Sequence, residues 1–181
     1  MAVEITRELL GLAIQQLAQL TGEKEFVAVG RGTLAITAPP ELAQMATTDD
    51  VDIWPRHNEM AALDESIFEL GETSKFHEQY GFYIERLGAW TLLTQPPGWE
   101  DRATILRFDD NSLLVLGLMD LLYNKLEANR SKDRDFIQEA IACKLADIDV
   151  LRKFVQRFAP NPEVRESLLG SLSDIVRGCA R

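Results

Sequence analysis

Strand-like segments in the first part of the chain and helical periodicity in the last part predict an α/β (α+β) fold with a helical C-terminal half. Two observations carry that expectation. Short apolar runs bounded by Gly, Pro or Asp recur up to residue 116, and from residue 117 the apolar positions change to the i, i+3/i+4 spacing of helices. The corresponding division is a core over 1–116 and a helical part over 117–181 packed on it.

The first element is itself a helix. Leu9, Leu10, Ala13, Ile14 and Leu17 form one stripe, which predicts a helix over about 4–20. Phe26-Val27-Ala28-Val29 reads as a strand entering a Gly-containing turn, Gly30-Arg31-Gly32-Thr33. A second helix is short, because Pro39-Pro40 interrupts the region. Val51-Asp52-Ile53-Trp54 predicts a strand stopped by Pro55, residues 58–70 a helix, and Gly81 to Glu85 another strand. Pro96-Pro97-Gly98 is a loop, and Ala103–Phe108 with Leu113–Leu116 reads as a hairpin around Asp109-Asp110-Asn111. Helices then run to the end, broken near Ser131 and at Pro160-Asn161-Pro162.

Composition narrows the class. With 181 residues, 46% of them hydrophobic, the chain is large enough to bury a core without a disulfide or structural metal. Its two cysteines, Cys143 and Cys179, have no zinc-type spacing, and a reducing, cytoplasmic compartment is the simplest fit. The opening MAVEITRELLGLAIQQLAQL has early acids and spaced apolar residues, the pattern of an amphipathic helix and not of a signal peptide. No apolar run is long enough to span a bilayer, so no membrane association is expected. Residues 1–116 hold 8 Lys or Arg against 19 Asp or Glu, a net of −11, which argues against a broad polyanion-binding surface there. The same acids also suit a solvated face that keeps the protein soluble.

Three Asp-x-Asp pairs occur: Asp50/Asp52, Asp133/Asp135 and Asp147/Asp149. On a strand, residues i and i+2 share a face, so two carboxylates can share one Mg²⁺. On a helix the same spacing turns the side chains roughly 200° apart. Only Asp50/Asp52 falls on a predicted strand, with Val51 and Ile53 facing the core. The spacing equally suits turn and edge acids, but like charges on one strand face call for a cation or an Arg between them. In the helical half, Lys125 falls on the stripe of Leu118, Leu121, Leu122 and Leu126, and Asp133 on that of Ile137, Ala140 and Ile141. A charge on a core-facing stripe must be paired or reach a polar cavity. The two therefore pair with each other or line a site; otherwise Lys125 snorkels and Asp133 sits in the first turn after an N-cap at Ser131.

Several of these segments resemble a known group. Val29-Gly30-Arg31-Gly32-Thr33-Leu34 followed by Thr48-Asp49-Asp50-Val51-Asp52-Ile53 resembles the Gly-Gly/Ser turn and T-x-D-hydrophobic-D strand of nucleotidyltransferases. Lys125 to Asp135 resembles the K-L-x-A-x-R-x-K-D-x-x-D segment of nucleotidyltransferase-like families related to the AbiEii toxins of bacterial toxin–antitoxin systems. Pro97-Gly98-Trp99-Glu100-Asp101-Arg102 resembles the P-x-G-W-x-x-R loop of the same group, and the resemblance spans about residues 26–136.

The resemblance implies a nucleotidyltransferase-like mixed sheet flanked by helices. It further implies transfer of an NMP group from a nucleoside triphosphate to a hydroxyl of RNA (tRNA included), a protein or a small molecule, with an antitoxin as a possible partner. Asp50, Asp52 and Glu85 would hold Mg²⁺ or Mn²⁺ for two-metal chemistry, with Glu85 helping to activate the attacking hydroxyl. Gly30, Arg31, Gly32 and Thr33 would form the phosphate turn, Lys125 would add positive charge there, and Asp133 would be the distal acid. The chain departs from the pattern at Arg31, which follows Gly30 where Gly or Ser is usual, at Ala46 in place of an Arg, and at Phe136 in place of an acid. These departures bear on phosphate binding more than on fold, and they frame the alternative of a catalytically degenerate binding or partner-regulated module.

Overall fold

The computed structural model describes residues 5–37, 48–57, 69–86 and 95–179. Its described residues fall into two units, one of Met1–Leu93 and Glu100–Leu116, the other of Thr94–Trp99 and Gly117–Arg181.

The first unit is organised by five strands: β1 (Glu25–Val29), β2 (Asp50–Pro55), β3 (Tyr83–Arg86), β4 (Thr104–Phe108) and β5 (Asn111–Val115). They form one mixed sheet in the order β3-β2-β1-β5-β4. The β1/β2 and β4/β5 pairs are antiparallel, and the β1/β5 and β2/β3 pairs are parallel. The expected hairpin is present, with Phe108 opposite Asn111 and Asp109 in the left-handed region at φ 53°.

Alternation along the strands decides the faces. Phe26 and Ala28, Val51 and Ile53, Ile84, Leu106 and Phe108, and Leu113 and Val115 all turn to one side, where they join a single apolar cluster. The first helix, α1 (Arg7–Thr21), adds Leu10, Ala13, Ile14 and Leu17 to that cluster. Thr6 caps its start by accepting from the Leu9 N–H, and Gly22 ends it at φ 69°, where a side chain would be strained. A four-residue helix, α2 (Leu34–Thr37), follows the Gly turn.

The predicted helix over 58–70 lies outside the described residues up to 68; Glu69 and Leu70 are helical. The strand expected from Gly81 begins later. Ser74 caps a further helix, α3 (Lys75–Tyr80), and Gly81 is its left-handed C-cap at φ 75°. Phe76 of α3 packs edge-on against Phe82 with ring centroids 5.1 Å apart, which ties α3 to the sheet core. After the Pro-Pro-Gly loop comes the single turn α4 (Trp99–Arg102).

The second unit is helical: α5 (Leu118–Ala128), α6 (Ser131–Ala142), α7 (Ile148–Phe158) and α8 (Pro162–Cys179). Two details correct the sequence reading. The N-cap of α6 is Arg130, and Ser131 is already its first helical residue. A break at Cys143–Asp147 separates α6 from α7, where Lys144 takes φ 59° and Asp147 caps α7 by accepting from the Asp149 and Val150 N–H groups. Among the described residues no helix is long and apolar enough to cross a membrane.

Candidate metal centre

The face of β2 and β3 opposite the apolar cluster carries acids. Val51 and Ile53 are buried on the core side, so Asp50 and Asp52 turn to the other side, half-buried. In the parallel β2/β3 pair, Asp52 stands opposite Glu85 and Asp50 opposite Tyr83. Residues paired across neighbouring strands share a face, so Glu85 joins the two aspartates. One carboxylate oxygen from each of Asp50, Asp52 and Glu85 lies within 4.8 Å of the others. Thr48 donates its hydroxyl to Asp50 Oδ1 and orients that carboxylate.

The Gly turn backs onto this cluster. Gly30 sits at φ 91°, and a Cβ there would fall 1.9 Å from Asp52 Oδ2. A Cβ on Gly32 would fall 2.6 Å from the Asp50 carbonyl oxygen. Both glycines are therefore set by the close approach of β2. Thr33 is buried, and its hydroxyl donates to the Gly30 carbonyl at 2.7 Å, so it braces the turn from within. Arg31 is half-buried in the same turn.

Sequence reasoning did not single out Tyr83. Burial first, and then the charges of Asp50, Glu72, Glu85 and Asp49, push its phenol up to about 12. The acids that act on Tyr83 come from β2, from the residue before it, from β3 and from the turn before α3. The signal available in the sequence was its i, i+2 relation to Glu85, and that speaks only once β3 is placed beside β2.

Lys125 and Asp133 pair with each other inside the second unit. Lys125 Nζ is 2.9 Å from Asp133 Oδ1, and Arg130 Nε is 2.6 Å from Oδ2. The Asp133 side chain is fully buried, whereas Lys125 retains 18% exposure. Burial pushes the Asp133 carboxyl up, and its bonds to Arg130 and Lys125 outweigh burial and hold it below the ordinary value. Arg130 is a partner that the sequence reading missed.

The donor set suits a hard divalent cation: three carboxylates, oxygen donors only, on rigid strands. Carboxylates crowded to this separation repel one another unless a cation lies among them. The family model named "Nucleotidyltransferase of unknown function (DUF6036)" matches residues 8–166. The chain belongs to this family. No curated protein and no solved structure matches it. The family thus agrees with the nucleotidyltransferase resemblance of the Gly turn and of β2.

Proposed function

We propose that this DUF6036 protein transfers an NMP group from a nucleoside triphosphate to a hydroxyl acceptor at a divalent-metal centre on β2 and β3. The observation that carries the proposal is the convergence of Asp50, Asp52 and Glu85 oxygens within 4.8 Å, in a chain whose family is a nucleotidyltransferase family. Mg²⁺ or Mn²⁺ held there would neutralise phosphate charge and align the attacking and leaving oxygens.

The residues divide the work by position. Asp50 and Asp52, alternating with buried Val51 and Ile53, are fixed by the core and serve as the paired ligands. Glu85 is the most exposed of the three; an acceptor hydroxyl reaching it would give up its proton there as its oxygen bonds to the α-phosphorus and pyrophosphate leaves. Gly30 and Gly32 keep the turn close to β2, and their backbone approaches the phosphates. Arg31 adds a positive charge to the turn, and Thr33 holds its shape. Lys125 and Asp133 are proposed as site residues on the motif resemblance alone; within the second unit they form an ion pair with Arg130.

RNA, tRNA included, and proteins are the proposed acceptor classes, and a toxin-type role with an antitoxin partner rests on the Lys125–Asp135 motif resemblance. Arg31 in place of the usual Gly or Ser favours one second reading, a relative that binds metal and nucleotide without transferring it.

The test begins with thermal melts in Mg²⁺ or Mn²⁺ with each nucleoside triphosphate. A ligand that binds only the native state raises the midpoint, and Asp52→Asn should remove most of that rise while keeping the side-chain shape. Incubation with α-labelled triphosphates and candidate acceptors then separates transfer from binding alone. An equal rise in wild type and Asp52→Asn would reject the proposed centre.

A further inference from the structure

Tyr83 stands beside the three carboxylates with a chemistry that they lack. Its place follows from register: it is paired with Asp50 across β2/β3 and lies two residues before Glu85, so its side chain leaves the sheet on the carboxylate face. The ring is half-buried and packs against His77 of α3, with centroids 5.1 Å apart at 56°. His77 is itself fixed. Its Nδ1 lies 2.5 Å from the Glu72 carbonyl oxygen, and its backbone N–H donates to Ser74 Oγ at 3.1 Å. The Tyr83 hydroxyl makes no hydrogen bond to another described residue.

Ionised Asp50, Asp52 and Glu85 can only accept hydrogen bonds or bind cations. A triphosphate held through cations still presents non-bridging oxygens that need O–H or N–H donors. We propose that Tyr83 is a phosphate-binding residue, its O–H donating to a non-bridging oxygen of a triphosphate chain held through cations on Asp50, Asp52 and Glu85. This rests on the metal-centre reading above and adds a contact to it. An ordinary phenol ionises only at about 10, so the O–H donor is present at physiological pH.

Calorimetric titration of the full chain and of Tyr83→Phe with Mn²⁺ alone, Mn²⁺–ATP and Mn²⁺–tripolyphosphate tests this. Phenylalanine keeps the ring and its His77 contact and removes only the donor. The expected result is unchanged Mn²⁺ affinity, with ATP and tripolyphosphate both weakened by about ten-fold or more, the scale of a hydrogen bond to a charged group. Equal affinities in the two proteins overturn the phosphate contact and leave the metal centre standing. Loss for ATP but not for tripolyphosphate assigns Tyr83 to the nucleoside and overturns it as well. Weaker binding of Mn²⁺ alone makes Tyr83 a support of the carboxylates and likewise overturns the phosphate contact. A wild-type protein that binds neither phosphate ligand in the presence of Mn²⁺ overturns both this inference and the proposed function.

Discussion

Gly30 lies directly beneath the Asp52 carboxylate: a Cβ at position 30 would come within 1.9 Å of Asp52 Oδ2. The turn and the second acid of the proposed metal centre are thus one unit of structure. Gly30→Ala introduces two faults, a clash with Asp52 and a side chain at φ 91°, where L-residues are strained by about 1–3 kcal/mol. The expected outcome is a lower melting midpoint together with loss of the response to Mn²⁺ and nucleotide. Serine at 30 should behave like alanine, because both bring a Cβ. A Gly30→Ala protein with wild-type metal response would show that Asp52 can move aside without consequence.

Glu85 separates binding from chemistry. It is the exposed member of the trio, and Asp50 and Asp52 remain to hold a cation without it. Glu85→Gln keeps the shape and an oxygen ligand but removes the proton acceptor. Transfer should fall by roughly 10²–10⁴-fold, the usual contribution of a positioned acid or base. Nucleotide affinity, measured by the same calorimetry, should change far less. A parallel fall in both quantities would place Glu85 among the cation ligands only.

Local pattern made much of this legible. Asp50 and Asp52 alternate with Val51 and Ile53, so strand periodicity alone put both acids on one face, and the sheet bears that out. The Lys125 and Asp133 stripes likewise placed two charges facing inward, and they meet at 2.9 Å. What stayed hidden depends on contacts between segments distant in sequence. The approach of Asp52 to Gly30 and the pairing of Asp50 with Tyr83 follow from which strands are neighbours, which no single stretch of sequence encodes. The break at Cys143–Asp147 has another cause. It contains neither Gly nor Pro, and Lys144 adopts the left-handed conformation without the residue types that usually announce it.

The buried cluster in the helical unit predicts an acid-sensitive stability. Asp133 is fully buried between Lys125 and Arg130, so Asp133→Ala leaves a buried gap and two cations without their carboxylate and should cost about 1–3 kcal/mol. Lys125→Met should cost less, since Arg130 still pairs with the carboxylate at 2.6 Å and the aliphatic stem is retained. The folded carboxyl titrates below its ordinary value of 3.8, so the folded state releases this proton more readily than the unfolded chain. Its contribution is therefore complete above that value and is lost as the pH falls through the lower folded value. Urea titrations at neutral and acid pH should show the gap between wild type and Asp133→Ala narrowing on acidification. A gap that stays constant down to the lowest pH would mean that the carboxylate charge contributes nothing.

Tyr83 supplies the opposite sign at the alkaline end, and with it a probe of the metal centre. Its phenol titrates at about 12 against an ordinary 10.0, because burial and the charges of Asp50, Glu72, Glu85 and Asp49 disfavour the phenolate. Between those two values the folded chain keeps a proton that the unfolded chain has lost, so stability should fall as the pH rises through that window. Tyr83→Phe should flatten the fall. The ionisation can be followed as the phenolate absorbance difference between wild type and Tyr83→Phe. A divalent cation on Asp50, Asp52 and Glu85 removes part of the negative field, so Ca²⁺, which stays soluble in base, should draw the transition down toward the ordinary value. Asp52→Asn should blunt the effect of Ca²⁺ by removing a ligand. A transition that Ca²⁺ leaves in place in the wild type would argue that no cation settles among the three carboxylates.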